Sequence, residues 1–231
     1  MATTFDNVYC QSQLLRRDGV LNNLPEPMYY SLNWRYLQYA ISIFQYDCNP
    51  PTKITQYTPF QEIDYQFVGD GIDTDFLLSP TPLVNGQLWV GVRNDDENNG
   101  KYKALTEGID YTFDNTTNII TFAQAPADLT DIWVASYIQG EFLADLSLRE
   151  ITILAEGMII PLLEEYKNNR RTSTSFVYGG SAKMFSPANL LDKNIGNADD
   201  QRKYVDGLIV EYSYKNYGWG NGGYVGLGGK R

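Results

Sequence analysis

Between Tyr65 and Ile138 the sequence alternates short apolar segments with turns that are rich in Gly, Pro, Asn and Asp. The apolar segments carry many β-branched and aromatic residues, which favour pleated, half-buried strands, and the turn residues mark where each strand ends. The pattern therefore predicts a small antiparallel β-sheet or β-sandwich. The segments are Phe67–Leu78, Leu88–Val92, Gly108–Phe113, Asn118–Phe122, Ala125–Ala127 and Asp131–Tyr137.

Helical periodicity precedes this β region. Residues 4–18 predict a short helix, and a stronger pattern begins at Glu26-Pro27 and runs to about Tyr46. In the second segment apolar residues recur at three- and four-residue spacing, as one face of an α-helix requires. Pro50 and Pro51 end the helix, because proline lacks a backbone donor and restricts the residue before it.

The strongest helical signal follows the β region. Ser147 and Glu150 match a capping box, in which each side chain satisfies a backbone donor of the first turn. A broad apolar face then continues to Leu163. Pro161 lies inside this pattern and predicts a kink, because its ring clashes with the carbonyl four residues earlier.

The C-terminal third predicts further helix. Ser186-Pro187 is typical of the start of a short helix, since proline is favoured at the first helical position. A last helix is predicted from Ala198 to about Tyr217. Residues Val210–Tyr214 also alternate as a strand does, and the helix is the preferred interpretation.

The layout predicts an α+β fold in which a helical frame (a helix bundle) carries an inserted antiparallel β-sheet or sandwich module. Residues 1–58 would form the N-terminal part of the frame and residues 59–140 the β module. Residues 141–217 would form the C-terminal part of the frame. Residues 218–231 form an arm rich in glycine and aromatic residues, which we expect a partner to order.

Charge and cysteine content narrow the function classes. The net charge of −10 argues against tight, sequence-independent DNA binding, although an acidic surface suits a passage through which DNA slides without adhering. Cys10 and Cys48 form no CxxC pair and are interpreted as small buried hydrophobic residues. Neither a secretory signal nor a membrane-spanning segment is predicted, so we expect synthesis and assembly in a reducing cytoplasm.

Candidate chemistry is sparse. The sequence has no histidine, so Ser-His-Asp, Cys-His and HExxH sites are ruled out within one chain. Asp70, Asp73 and Asp75 are the densest carboxylates, but their spacing lacks the order of a calcium loop and favours a solvated turn. The glycine motifs near the C-terminus lack the strand and helix of a nucleotide site. No cofactor or metal is predicted.

Four aromatic residues leave two interpretations open. Trp89, Tyr102, Tyr111 and Trp133 would stack on sugar rings if they shared one exposed face. Packing in the core or in cross-strand pairs is the preferred interpretation.

The β region resembles a module of tailed-bacteriophage virion proteins. The shared loose pattern is G-D-G-x-x-T-x-F-x-L, then V-x-V, G-x-D-Y-T, I-x-F-x-x-A-P and I-x-V-x-Y. These elements correspond to Gly69 to Leu77, Val90 to Val92, Gly108 to Thr112, Ile120 to Pro126 and Ile132 to Ser136-Tyr137. The stretch Arg93–Glu107 is longer than in the compact form of the module. The resemblance covers about a third of the chain.

The helical frame around the module looks like the head-to-tail adaptor of short-tailed phages, in which a ring of copies lies below the portal and terminal arms wrap neighbours. The resemblance implies a non-enzymatic virion protein at the head–tail junction or in the tail. It would assemble as a homo-oligomeric ring of about twelve copies and contact portal protein, tail proteins and passing DNA, without a membrane. The implied contact residues are Tyr217, Trp219, Tyr224, Arg170 and Arg171.

Two alternatives stay open at the level of sequence. The first is a tail fibre or tip protein that recognises host surface glycans through exposed Tyr and Trp. The second is a carboxylate-based glycan hydrolase that uses Asp residues of the β module.

Overall fold

A computed structural model describes residues 2–16, 24–47, 52–94, 101–169 and 187–216. Its helices are α1 (Phe5–Arg16), α2 (Glu26–Asp47), α3 (Thr52–Thr55), α4 (Leu148–Gly157), α5 (Ile159–Asn169) and α6 (Pro187–Asn216). Its strands are β1 (Thr3–Thr4), β2 (Tyr57–Thr58), β3 (Gln61–Val68), β4 (Asp75–Leu77), β5 (Gln87–Arg93), β6 (Lys103–Ala104), β7 (Tyr111–Asp114), β8 (Ile119–Phe122), β9 (Asp131–Ile138) and β10 (Glu141–Phe142). The mixed α and β content confirms the predicted class.

Most of the strands form two antiparallel sheets that share one core. One sheet has the order β3-β9-β5-β6 and the other has the order β4-β8-β7. In the first sheet Val134 pairs with Tyr65 on one side and with Val90 on the other, so these three residues face the core together. The predicted antiparallel β-structure is therefore confirmed, as small sheets. Its buried core consists of Tyr65, Leu78, Val90, Tyr111, Ile120, Phe122, Ile132 and Val134.

A third small sheet, with the order β1-β10-β2, joins the N-terminus to the segment after the sandwich. Phe5, the first residue of α1, lies fully buried beside it. The Phe5 ring stacks on Trp34 with centroids 5.1 Å apart and meets Phe142 edge-to-face at 4.9 Å. Aromatic contacts thus attach α1 and the first half of α2 to the β region.

Helices α4 and α5 occupy the segment with the strongest helical signal. Both bonds of the predicted capping box are present: the Glu150 backbone N–H donates to Ser147 Oγ, and the Glu150 carboxylate accepts from the Ser147 N–H. The helix is interrupted at Met158, between Gly157 and Ile159, and Pro161 is the third residue of α5. The interruption follows Gly157, whose carbonyl the Pro161 ring would strike, so the irregularity lies where the kink was predicted.

The predicted boundary between the last two helices was wrong. The short helix at Pro187 and the helix predicted from Ala198 are a single helix, and residues 210–214 are helical. Asn194, Gly196 and Asn197 are weak helix formers, but each costs only about 1 kcal/mol or less, which does not force a break. Cys10 corrects a second expectation, because it is exposed at the surface of α1.

Within the described residues the chain forms two compact units. The first comprises residues 1–35 and 56–145, and the second comprises residues 36–55 and 146–231. Helix α2 contributes to both units. The domain boundaries drawn from the sequence stay a prediction, as does the bundle arrangement of the frame. Among the described helices, none combines the length and apolarity of a segment that crosses a bilayer.

Candidate docking groove

The contact residues implied by the resemblance, Tyr217, Trp219, Tyr224, Arg170 and Arg171, lie outside the described residues.

The aromatic residues do not form an exposed stacking face. Trp89 and Trp133 are only 8% and 6% exposed, and they meet edge-to-face on the outer side of the four-stranded sheet with centroids 4.9 Å apart. The Trp133 indole N–H donates to Asp64 at 3.0 Å, and Tyr102 packs against both rings. Tyr111 belongs instead to the sandwich core. Cross-strand and core packing is thus confirmed for this set.

The Trp89 ring explains a glycine in the middle of β5. A Cβ atom placed on Gly91 would lie 2.2 Å from Cη2 of Trp89, so the indole lies directly over the Gly91 backbone. Gly91 pairs with Trp133 on the neighbouring strand. The glycine therefore creates the space in which the two indoles meet.

The carboxylate of Asp70 stabilises the turn that follows it. Asp70 Oδ1 accepts hydrogen bonds from the backbone N–H groups of Ile72 at 2.9 Å and Asp73 at 2.8 Å, and these bonds lower the pKa of the carboxyl. Gly71 has a φ of 76°, in the left-handed region that favours glycine, and its N–H donates to the Pro126 carbonyl at 3.0 Å. Among the described residues no group of three or more His, Cys, Asp or Glu could hold a metal ion.

A groove of about 740 Å³ lies in the first compact unit, beside the loop that precedes β5. The loop is anchored at two points: the Tyr65 hydroxyl donates to the Pro80 carbonyl at 2.8 Å, and the Leu83 N–H donates to Ser136 Oγ at 3.0 Å. We call this cavity the amide groove. It is lined by Glu26, Thr81, Pro82, Leu83, Val84, Asn85, Gly86, Gln87, Leu88, Glu107, Phe113, Asn115, Asn118, Ser136 and Tyr137.

Side-chain amides and carboxylates dominate the polar lining of the amide groove. A second cavity of about 240 Å³ shares Asn85, Gln87 and Tyr137 with it and adds Glu141. Among the described residues that line the two cavities, none is Lys or Arg, while three are Glu. Burial, together with a hydrogen bond to Glu26, raises the pKa of the Tyr137 phenol above its ordinary value, so this phenol stays neutral.

A smaller pocket of about 380 Å³ lies between the start of α2 and β3. Glu62 and Asp64 line it, two positions apart on β3 and therefore on the same face of the strand. Burial, reinforced by the Asp64 carboxylate, raises the pKa of Glu62 to about 7, and a hydrogen bond with Ser31 partly opposes this. Arg35, which has an interaction partner within the protein, also lines the pocket and adds a positive charge to it. The lining of this pocket is therefore less negatively charged than that of the amide groove.

Sequence reasoning did not find the amide groove. Its residues come from separated loops, and their only local signal is turn chemistry at Asn85-Gly86 and at Asn115–Asn118. Asn85 and Asn118 adopt φ values of 61° and 57°, a region that Asn tolerates better than most residues. Comparison of the sequence with protein-family models and with curated proteins finds no match.

Proposed function

We propose that this protein is a structural virion component of a tailed phage. It forms a homo-oligomeric ring that joins the portal to the tail and lines the DNA passage, and it has no catalytic role. In this proposal the helical frame carries the β module, and α4, α5 and α6 supply the contacts that close the ring.

One observation carries the proposal. The five segments of the phage-type pattern lie in one β-sandwich and its turns, and their apolar residues fill its core. Phe76 packs against Phe122 edge-to-face with centroids 5.4 Å apart, so the first and fourth segments meet. The loops of the first and fourth segments are also joined, because the Gly71 N–H donates to the Pro126 carbonyl. The segments of the pattern thus contribute to one architecture, which supports treating them as one module.

The burial of Trp89 and Trp133 favours assembly over the glycan-binding alternative. That alternative depends on exposed aromatic rings, and the two indoles pack on each other instead. The acidic balance of the chain also suits a wall along which DNA moves, since clustered phosphate-binding cations would hold the DNA.

Mass photometry and negative-stain imaging of the purified protein and of virion necks test the proposal. We expect a cyclic oligomer with a central hole and the same chain in the virion neck. A strictly monomeric protein that is absent from virions would overturn the proposal, and elongated trimers would favour a fibre.

A surface variant sharpens this test. Leu148, at the start of α4, is 73% exposed, so a polar substitution there disturbs little packing within the chain. Leu148→Asp should shift the population from the ring towards monomers. Lys203→Gln makes the same change in net charge at a side chain that is 78% exposed, and it should leave the ring intact. Equal ring fractions in both variants would contradict a role for this part of α4.

A further inference from the structure

The lining of the amide groove contains polar side chains that have no hydrogen-bond partner among the described residues. Asn85, Asn115 and Asn118 contribute side-chain amides, and Glu107 contributes a carboxylate. Within the described part of the chain, no hydrogen bond occupies any of these four side chains. Their donors and acceptors are therefore available to a ligand in the cavity.

Local hydrogen bonds fix the two segments that carry these amides. The loop before β5 is anchored because the Leu83 N–H donates to Oγ of the buried Ser136. The β7–β8 turn is held by Asp114, which accepts hydrogen bonds from the Thr116 N–H and the Thr117 hydroxyl, each at 2.8 Å. The amides are thus positioned before a ligand arrives, which lowers the entropy cost of binding.

The charge of the lining restricts the class of ligand. Glu26 and Glu107 line the main cavity and Glu141 lines the adjoining one, with no Lys or Arg among the described lining residues. Phosphates, nucleic acids and acidic sugars are recognised through such cations, so this lining disfavours them. Glu26 already accepts the Tyr137 hydroxyl, which leaves amides as the majority of the available groups. Because amides both donate and accept hydrogen bonds, the groove suits an uncharged ligand that carries many hydroxyl groups.

The groove also offers apolar surface beside these polar groups. Phe113 is half-buried and lines the main cavity together with Leu88, and Val84 in the same lining is 81% exposed. A pyranose ring has an edge of hydroxyl groups and an apolar C–H face, so it matches amides that lie next to an aromatic ring. The groove volume of about 740 Å³ is within the range of about 300–1,000 Å³ that is typical of ligand sites.

We infer that the amide groove binds a neutral oligosaccharide. The three unpaired amides and the Glu107 carboxylate bond to the sugar hydroxyls, and Phe113 packs against the apolar face of a sugar ring. This activity goes beyond the proposed ring, since every residue of the site lies in the first compact unit. It also differs from the alternative based on exposed Tyr and Trp, because neither Trp89 nor Trp133 lines the groove.

Saturation-transfer NMR on the full-length protein tests the inference. The probes are the neutral trisaccharides of glucose, galactose, mannose and N-acetylglucosamine, with trigalacturonate as a charged probe of the same length. We expect saturation transfer to at least one neutral probe and none to trigalacturonate. Failure of all four neutral probes, or equal transfer to trigalacturonate, would overturn the inference.

A pair of matched double variants assigns the binding to the groove. Asn115→Ala with Gln87→Ala removes two exposed amides from the lining, and it should weaken the affinity for the bound trisaccharide about tenfold or more. Asn7→Ala with Gln66→Ala removes two exposed amides that line neither cavity, and it should leave the affinity unchanged. Equal affinities in the two double variants would overturn the assignment, with circular dichroism confirming that both are folded.

The same measurements separate this inference from the proposed function. A ring that binds none of the neutral trisaccharides overturns the inference and leaves the proposed function standing. Saccharide binding by a strictly monomeric protein supports the inference and contradicts the ring. Binding by the ring, lost in the groove variant while the ring persists, supports both.

Discussion

Replacing Tyr212 by Phe tests the hydrogen bonds that join α6 to α4. Glu150 is fully buried, and its Oε2 accepts bonds from the Ser147 N–H at 2.6 Å and the Ser147 hydroxyl at 2.7 Å. Its Oε1 accepts the Tyr212 hydroxyl at 2.5 Å. Phe keeps the ring that meets Phe44 edge-to-face at 5.4 Å, so the substitution removes only the hydroxyl.

The expected loss follows from the burial of the acceptor. Removing the phenol hydroxyl leaves a buried carboxyl oxygen of Glu150 without this partner, which costs about 1–3 kcal/mol. Tyr212→Phe should therefore lower the free energy of unfolding by about 2 kcal/mol and the melting temperature by about 4–8 °C. Tyr204→Phe on the same helix, where the ring is 52% exposed, should change the stability by less than about 0.5 kcal/mol.

The free energy of unfolding of both variants can be measured by denaturant unfolding followed by far-ultraviolet circular dichroism. An unchanged slope of this free energy against denaturant concentration shows that the substitution alters stability and not the compactness of the native or unfolded state. A double-mutant cycle with Glu150→Gln isolates the coupling between the phenol and the carboxylate. If Tyr212→Phe is as stable as Tyr204→Phe, or the coupling energy is zero, the bond does not join the two helices as the geometry indicates.

Two further predictions concern the β region. Gly91→Ala should destabilise the protein by about 1–3 kcal/mol and change the near-ultraviolet circular dichroism, because the new Cβ would collide with the indole of Trp89. Gly207→Ala on α6 is the control: a Cβ there meets nothing within 4 Å, so this variant should be more stable by about 0.5–1 kcal/mol. Destabilisation by both substitutions would refute this account. The pKa of Glu62 is about 7 in the folded protein and about 4.3 in the unfolded chain. Between these two pH values the folded state binds more protons than the unfolded state, so the free energy of unfolding should fall as the pH rises from about 4 to 7. The Glu62→Gln variant should lack this component in a pH series of unfolding midpoints, and identical profiles for variant and parent would contradict it.

What the sequence predicted well is local. The capping box depends on residues three positions apart, and the hairpin turns depend on Asp and Gly at fixed offsets, so short-range chemistry identifies both. The predicted strand segments contain Val90 and Val134, which alternate with outward-facing residues and lie in the core, because side-chain direction has a period of two along a strand. These features need no knowledge of distant partners.

What the sequence missed depends on distant partners. Tyr30 stacks on Tyr137 with centroids 5.6 Å apart, a contact between residues more than a hundred positions apart that no local pattern encodes. The amide groove is assembled in the same way, from Glu26, the loop before β5 and the β7–β8 turn. The continuity of α6 was missed for a different reason, because weak helix formers lower helix propensity without forbidding a helix.

The residues of the phage-type pattern and the residues that line the amide groove are largely different residues of the β module. Asp70 and Gly71 form a turn, Pro126 receives the Gly71 N–H, and Tyr111 fills the core, so these pattern residues are occupied by the architecture itself. Except for Ser136 and Tyr137, every residue that lines the main cavity of the amide groove lies outside the pattern segments. The lining of the groove can therefore vary without altering the scaffold. Substitutions in the loop 81–88 and the turn 115–118 should change the stability little, whereas substitutions in the pattern itself should lower it.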